Sequence, residues 1–299
     1  MGAWGALARG VVLPVARRVA LVRSVASFID GHLGRNGYER QREQFVRNGR
    51  GARWSEQIRR DIVRRFEAID RNVPIQSSAG DGLVIAEALL SMSAEGDIVE
   101  CGAFSGGSTA KLSVVAYALG RRLLVFDSFE GLPPVAMDEA NDHHARQSAP
   151  CTWKAGACRG SLDEVRRNVA RYGEPAACVF VPGWFSDTLT GANLPPRVAL
   201  AYTDVVLPSS ARACLSALWP RLPDGGIYFS RDLALTNVWT TVASPAWWHE
   251  TFGVERPLIF GVGFGLSDAS PYLGFMVKGI DPPGAYLDQL RVFKPSAEA

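Results

Sequence analysis

With 299 residues, 47% of them hydrophobic, the chain can bury a full core, as one large domain or one domain with an extension. Its 32 basic and 30 acidic residues leave a formal net charge of +2, which signals no nucleic-acid partner. The five cysteines, Cys101, Cys151, Cys158, Cys178 and Cys214, are odd in number and include no C-x-x-C pair. They read as free thiols of a reducing cytoplasm, with a Cys151–Cys158 bridge across a loop as the alternative.

The first 28 residues carry Arg9, Arg17, Arg18 and Arg23 and no acid. These arginines interrupt every apolar run well short of the ~20 residues that span a bilayer, and no cleavage site for a secretory signal follows. Such a basic amphipathic segment suits packing on the body or on a second subunit, with weak membrane-surface contact as the alternative. Residues 54–71, "WSEQIRRDIVRRFEAIDR", put Ile58, Ile62, Val63, Phe66 and Ile69 on one helical face and arginines on the other. "DGLVIAEALLSM" reads as a second, more buried helix.

From Asp97 the pattern changes to β/α alternation. Strand-like runs fall at 97–102, 122–129, 178–184, 197–205 and 225–232, and helical stretches at 107–119, 161–173 and 210–222. The strands are apolar throughout rather than alternating, which predicts a parallel sheet covered on both faces. Two further runs, "ERPLIFGVGFGL" and "PYLGFMVKG", predict a closing antiparallel hairpin. The expected fold is therefore a doubly wound α/β sheet of seven strands. Segment 133–160, rich in proline and carrying His143, His144, Cys151 and Cys158, lacks period and is expected to act as a lid or binding loop.

The first turn of this unit, "IVECGAFSGGSTAKL" (98–112), is the candidate site, because open α/β sheets bind ligands at their strand carboxyl ends. A dinucleotide loop needs glycine where Phe104 stands, and no G-K-[ST] of a P-loop follows. Glu100 beside the loop would repel a diphosphate and suit a ligand with an ammonium. Asp127, at the end of the second strand, can accept both ribose hydroxyls. A nucleoside with a cationic arm and no phosphate meets both demands, and S-adenosylmethionine is such a ligand. A nucleotide-dependent oxidoreductase is disfavoured by Phe104 and Glu100.

"DIVECGAFSGGSTAKL", "VFDSFEGLPP", "GWFSDTL" and "SALWPRLPDGGIYF" together resemble the macrocin O-methyltransferase family over about residues 95–235. The resemblance implies a class I (Rossmann-like) methyltransferase fold, S-adenosylmethionine as donor, a sugar or natural-product hydroxyl as acceptor, and a homo-oligomer. By the same resemblance Glu100, Gly102, Ala103, Phe104, Ser105, Gly106 and Ser108 would line the methionyl side. Asp127, Ser128 and Phe129 would hold the ribose and adenine, and Gly183 and Trp184 would flank the adenine. Residues 1–94 would form a helical extension and cap, and 95–299 the catalytic domain. In the family a magnesium ion held by three acids assists the acceptor. Here Asp204 and Asp232 match two of them, and Arg231 stands where the third belongs, which makes magnesium doubtful. Asp204 is then the expected general base, Asp232 the second candidate and His143 the third, the latter if its loop folds over the site. A methyltransferase fold that binds the cofactor without transferring methyl stays open as the alternative.

Overall fold

The computed structural model describes residues 37–143, 150–261 and 272–279. The basic N-terminal segment, His144 and most of the last two predicted strands' connection lie outside these residues. Helices α1 (37–47), α2 (Glu56–Asn72) and α3 (Ala79–Ser91) precede strand β1 (Asp97–Cys101). Then follow α4 (Gly107–Leu119), β2 (Leu123–Asp127), β3 (Asn141–His143), β4 (Pro150–Thr152), α5 (Leu162–Tyr172), β5 (Cys178–Pro182) and α6 (Phe185–Thr188). The remainder is β6 (Val198–Thr203), α7 (Pro208–Leu218), β7 (Ile227–Ser230), α8 (Thr236–Val242), α9 (Pro245–Phe252), β8 (Phe260–Gly261) and β9 (Gly274–Val277).

Seven strands form one sheet in the order β5-β2-β1-β6-β7-β9-β8, with β9 antiparallel to both β7 and β8 and the other pairs parallel. The predicted doubly wound sheet with an antiparallel close is thus present. Strand order runs outward in both directions from β1 and β6, so the topological switch point falls between them. Every residue of β6 and β7 is buried, as apolar strands covered on both faces must be. One face packs Phe45, Phe66, Leu83 and Leu89 from α1–α3 against Ile98, Val125 and Leu200, in the same cluster as Val114 of α4 and Val165 of α5. The other face packs Leu215, Trp219 and Trp248 against Val99, Phe126 and Tyr228.

Helix starts follow local chemistry. Ser55 caps α2, Ser78 and Asp81 form a capping box on α3, and Ser161 caps α5. The α2 face departs from its sequence pattern at two neighbours. Ile58 is turned out, 37% exposed, and Arg59 is buried instead. A buried guanidinium demands a partner: Arg59 pairs with Glu87 of α3 and donates to the Phe45 carbonyl (3.0 Å) and the Trp54 carbonyl (3.1 Å). The pair ties α1, α2 and α3 into one layer.

Segment 133–160 is more regular than its composition suggests. β3 and β4 make an antiparallel ribbon with Asn141 opposite Thr152 and His143 opposite Pro150. The ribbon is fastened by two acids that supply caps the helices beneath it lack. Glu139 accepts from the Ser209 amide (2.7 Å) and hydroxyl (2.8 Å) at the start of α7. Asp142, buried, accepts from the Asn237 amide (3.0 Å) at the start of α8.

Candidate active site

The carboxyl ends of β1, β2, β5 and β6 enclose a cleft of about 370 Å³ at the switch point. Gly102, Ala103, Phe104 and Ser108 line it from the first turn, Asp127 and Ser128 from the second strand end, Gly183 and Trp184 from β5, and Asp204 from β6. The turn needs its glycine. Gly102 has φ +92°, and a Cβ there would lie 2.1 Å from the Asp204 carbonyl oxygen, so the β1 and β6 ends touch through it. Phe104 itself adopts φ 49°, with Gly160 packed so closely on its carbonyl that a Cβ would come within 1.8 Å.

Four expected donor-side residues, and the base candidate Asp232, sit behind this surface. Ser105 is buried, and its carbonyl accepts from Asn168 (2.8 Å). Gly106 is the left-handed N-cap of α4. Phe129 belongs to the core, edge-on to Phe180 at 6.4 Å, whereas Trp184 does reach the cleft. Glu100 is fully buried beneath the turn, and Asp232 is buried below β6 and β7. Neither carboxylate lines the cleft in the way the sequence pattern suggests.

Asp127 ties the two turns together. Its Oδ2 accepts from the Ala103 amide (2.6 Å) and its Oδ1 from the Phe129 amide (2.7 Å). Burial raises its pKa, and the amides of Phe129, Ala103 and Phe104 pull it back. Each oxygen keeps a lone pair for a hydroxyl in the cleft. Glu100 is the opposite case. Neither of its oxygens has a hydrogen bond of ordinary geometry, although the Ser108 and Thr109 hydroxyls stand close enough to favour the charged form. Burial dominates and pushes the carboxyl up to about 8. An orphaned buried carboxylate under the turn fits a ligand that brings a positive charge there.

Beyond β6, Arg231, the residue after β7, faces Asp204, the residue after β6. Its Nη1 lies 3.7 Å from Asp204 Oδ1, each side chain being 17% exposed, and its Nη2 donates to the Gln76 carbonyl (2.5 Å). Burial raises Asp204, with Arg231 and the Tyr202 hydroxyl opposing. Asp232 accepts from the Val205 amide (2.6 Å) and so fixes the turn after β6. Burial lifts it to about 7, Asp204 adding to the rise, while the Val205 amide and Arg231 hold it down.

That donor set does not fit magnesium. A hard divalent ion wants several convergent carboxylates. Here one acid is turned into the protein, the other is paired with a guanidinium, and no group of three His, Cys, Asp or Glu side chains able to hold a metal exists among the described residues. His143 fits the base role no better. It lies on β3 with its carbonyl accepting from Thr236 (2.9 Å), and it is not among the cleft-lining residues. All five cysteines are free, so the Cys151–Cys158 bridge is not formed.

Several lining residues carry no sequence signal. Pro74, Ile75 and Gln76 come from the α2–α3 link, Leu132, Pro133 and Pro134 from the base of the ribbon, and Cys158 from its far end. Phe185 and Ser186 follow Trp184, and Val205, Val206 and Ser209 follow Asp204. Backbone strain marks the cleft instead: of the four non-glycine residues with positive φ among the described residues, Phe104, Cys158 and Val206 line it and Phe129 adjoins Ser128.

Comparison with known proteins bears on this geometry. A tetracenomycin 4'-O-methyltransferase acting on a dimethoxyrhamnosyl derivative, from Streptomyces olivaceus, is 38% identical over 153 residues, which is 50% of this chain and 57% of that protein. Mycinamicin III 3''-O-methyltransferase from Micromonospora griseorubida is 32% identical over 144 residues, 47% of this chain and 56% of that protein. The chain thus matches a little over half the length of each relative. The solved structure of the O-methyltransferase NovP aligns with 73% of this chain and 78% of its own at 23% identity and a TM-score of 0.47. The profile of the macrocin-O-methyltransferase (TylF) family matches residues 84–259, from within α3 to the residue before β8. That stretch covers more than half of the chain and holds every strand end around the cleft, and by it the chain belongs to the macrocin O-methyltransferase family.

Proposed function

We propose that this protein is an S-adenosylmethionine-dependent O-methyltransferase acting on a hydroxyl of a small molecule, a sugar or natural-product intermediate. The observation that carries the reading is the placing of Asp127 and Glu100 around one glycine turn, the first lining the cleft with one backbone amide on each oxygen, the second buried beneath the turn with no hydrogen bond of ordinary geometry. A diphosphate would meet the Asp127 carboxylate at the cleft wall and gain nothing from Glu100 beneath it. A nucleoside with an ammonium arm meets an acceptor for its hydroxyls and a counter-charge for its cation.

The turn Gly102–Phe104, Ser108, Asp127, Ser128 and the Gly183–Trp184 corner would hold the donor, whose sulfonium supplies the methyl group. The remaining task falls to the chain. A sugar hydroxyl is a very weak acid, so its proton must leave as the oxygen attacks. Asp204 is the carboxylate that lines the cleft opposite Asp127, and it is the proton acceptor in this reading. The Pro74–Gln76 segment and Trp184 narrow the space in which the acceptor oxygen is aligned. The five free thiols agree with a reducing cytoplasm, and the family resemblance with a homo-oligomer, which sedimentation would check.

Incubation with S-adenosylmethionine and a panel of glycosylated aglycones tests the reading. Release of S-adenosylhomocysteine with an acceptor gaining one methyl on oxygen is expected, and Asp204→Asn should remove turnover while calorimetric donor binding persists. Tight donor binding with no transfer to any acceptor would favour the non-transferring alternative. No donor binding at all would refute the site.

A further inference from the structure

The end of β7 offers a cation where the family resemblance implies acids. Thr203 and Ser230 are register partners, so Asp204 and Arg231 leave adjacent strands side by side. The Arg231 guanidinium is held from three directions. Asp204 faces Nη1, the Gln76 carbonyl accepts from Nη2, and the Tyr272 ring lies 5.9 Å from Cζ. Its third donor, Nε, is buried without a partner. A guanidinium never ligates a metal and never loses its charge in a protein. A divalent ion within coordination distance of Asp204 would sit against that fixed charge and gain nothing from Asp232, whose carboxylate is turned to the Val205 amide.

We propose that Arg231 is the built-in cation of the acceptor side: it takes the place of a divalent ion beside Asp204, and it locks the Pro74–Gln76 wall of the cleft to the β6 end. Arg231 does not line the cleft, so it is a positioning residue. It fixes the direction of the Asp204 carboxylate, and through the Gln76 carbonyl it fixes the segment on which an acceptor rests. The inference rests on the methyltransferase reading for its kinetic part only.

Two measurements on the full chain separate the parts. In the first, manganese is added to the free protein and free ion is followed by electron paramagnetic resonance. Wild type should leave the free-ion signal unchanged at millimolar protein, whereas Arg231→Asp, which adds a carboxylate and removes the cation, should bind manganese with millimolar or tighter affinity. Manganese uptake by wild type that Asp204→Asn abolishes would overturn the proposal, whatever the enzyme methylates. In the second, turnover should be the same in chelator and in magnesium. Arg231→Ala should lower kcat with the donor KM unchanged, and added guanidinium ion should restore part of the loss. Inactivation by chelator reversed by magnesium, or a folded Arg231→Ala whose kcat guanidinium does not raise, would overturn it. Should Arg231→Asp fail to fold, Arg231→Ala carries the decision. Absence of turnover with every acceptor refutes the methyltransferase reading and leaves the manganese result standing.

Discussion

Glu100 is fully buried, and replacing it by glutamine keeps its shape while removing its charge. Burial moves its pKa from 4.5 to about 8, with the Ser108 and Thr109 hydroxyls opposing and the Asp127 and Asp204 charges adding. Between those two values the folded protein keeps a proton that the unfolded chain has released. Stability from this group is therefore whole below pH ~4.5, falls as pH rises, and is gone above pH ~8. At ~1.4 kcal/mol for each tenfold change in proton affinity, the loss is on the order of 5 kcal/mol. Glutamine does not titrate, so Glu100→Gln should escape the loss. Urea denaturation of both proteins without ligand, at about pH 5 and about pH 8.5, reads the difference between them. Asp127, Asp204 and Asp232 titrate in both proteins and largely cancel. The variant should be close to wild type at the lower pH and several kcal/mol more stable at the higher. The same charge should appear in binding. A cationic arm over Glu100 pairs with the ionised form, so S-adenosylmethionine affinity should rise with pH in wild type and lose that rise in the variant. A stability difference of the same size at both pH values would refute the reasoning.

Other changes test other joints of the structure. Arg59 and Glu87 are each 3% exposed, so Glu87→Ala should cost ~3–5 kcal/mol in urea unfolding, and a double replacement of the pair by Met and Leu should recover most of it. Asp127→Ala should weaken S-adenosylmethionine binding by ~1.5–3 kcal/mol by calorimetry, the scale of hydrogen bonds to a charged group, and unchanged affinity would remove Asp127 from the donor site. Glu139→Ala combined with Asp142→Ala should speed amide exchange in 132–143 and 150–158 while leaving β1 and β6 protected, because only the ribbon's two helix caps are lost.

How much of this was legible in the sequence depends on how far apart the interacting residues lie. The strands announced themselves through apolar runs, and the helices through apolar faces and the alternation with the strands. The β3–β4 ribbon, α8 and α9 did not. The ribbon's strands are three residues each, and both α7 and α8 take their capping acids from the ribbon rather than from their own first turn. Arg59 was misread for a related reason: its partner, Glu87, lies 28 residues away, and periodicity cannot see a charge that another helix neutralises.

The two halves of the cleft obey the same rule. The residues expected on the donor side sit at the ends of β1, β2 and β5, each within a few residues of the strand that carries it, so strand-end position singled out Gly102 and Asp127, while Trp184 came only from the family resemblance. Even there, position along the chain did not tell a lining residue from one beneath it, since Glu100 and Phe129 differ from their neighbours only in the direction they face. The acceptor side is assembled across the chain. Arg231 and Gln76 are 155 residues apart, and Pro74, Leu132, Cys158 and Val205 meet there from four separate connections. No local pattern could announce that wall. The sequence showed only a misfit, an arginine where the family resemblance implies an acid, and in the structure that charge faces Asp204 and donates to the Gln76 carbonyl. If that reading holds, Arg231→Ala should free the 74–76 wall and leave every strand pairing in place, which amide exchange faster in 74–76 but unchanged in β1, β6 and β7 would check.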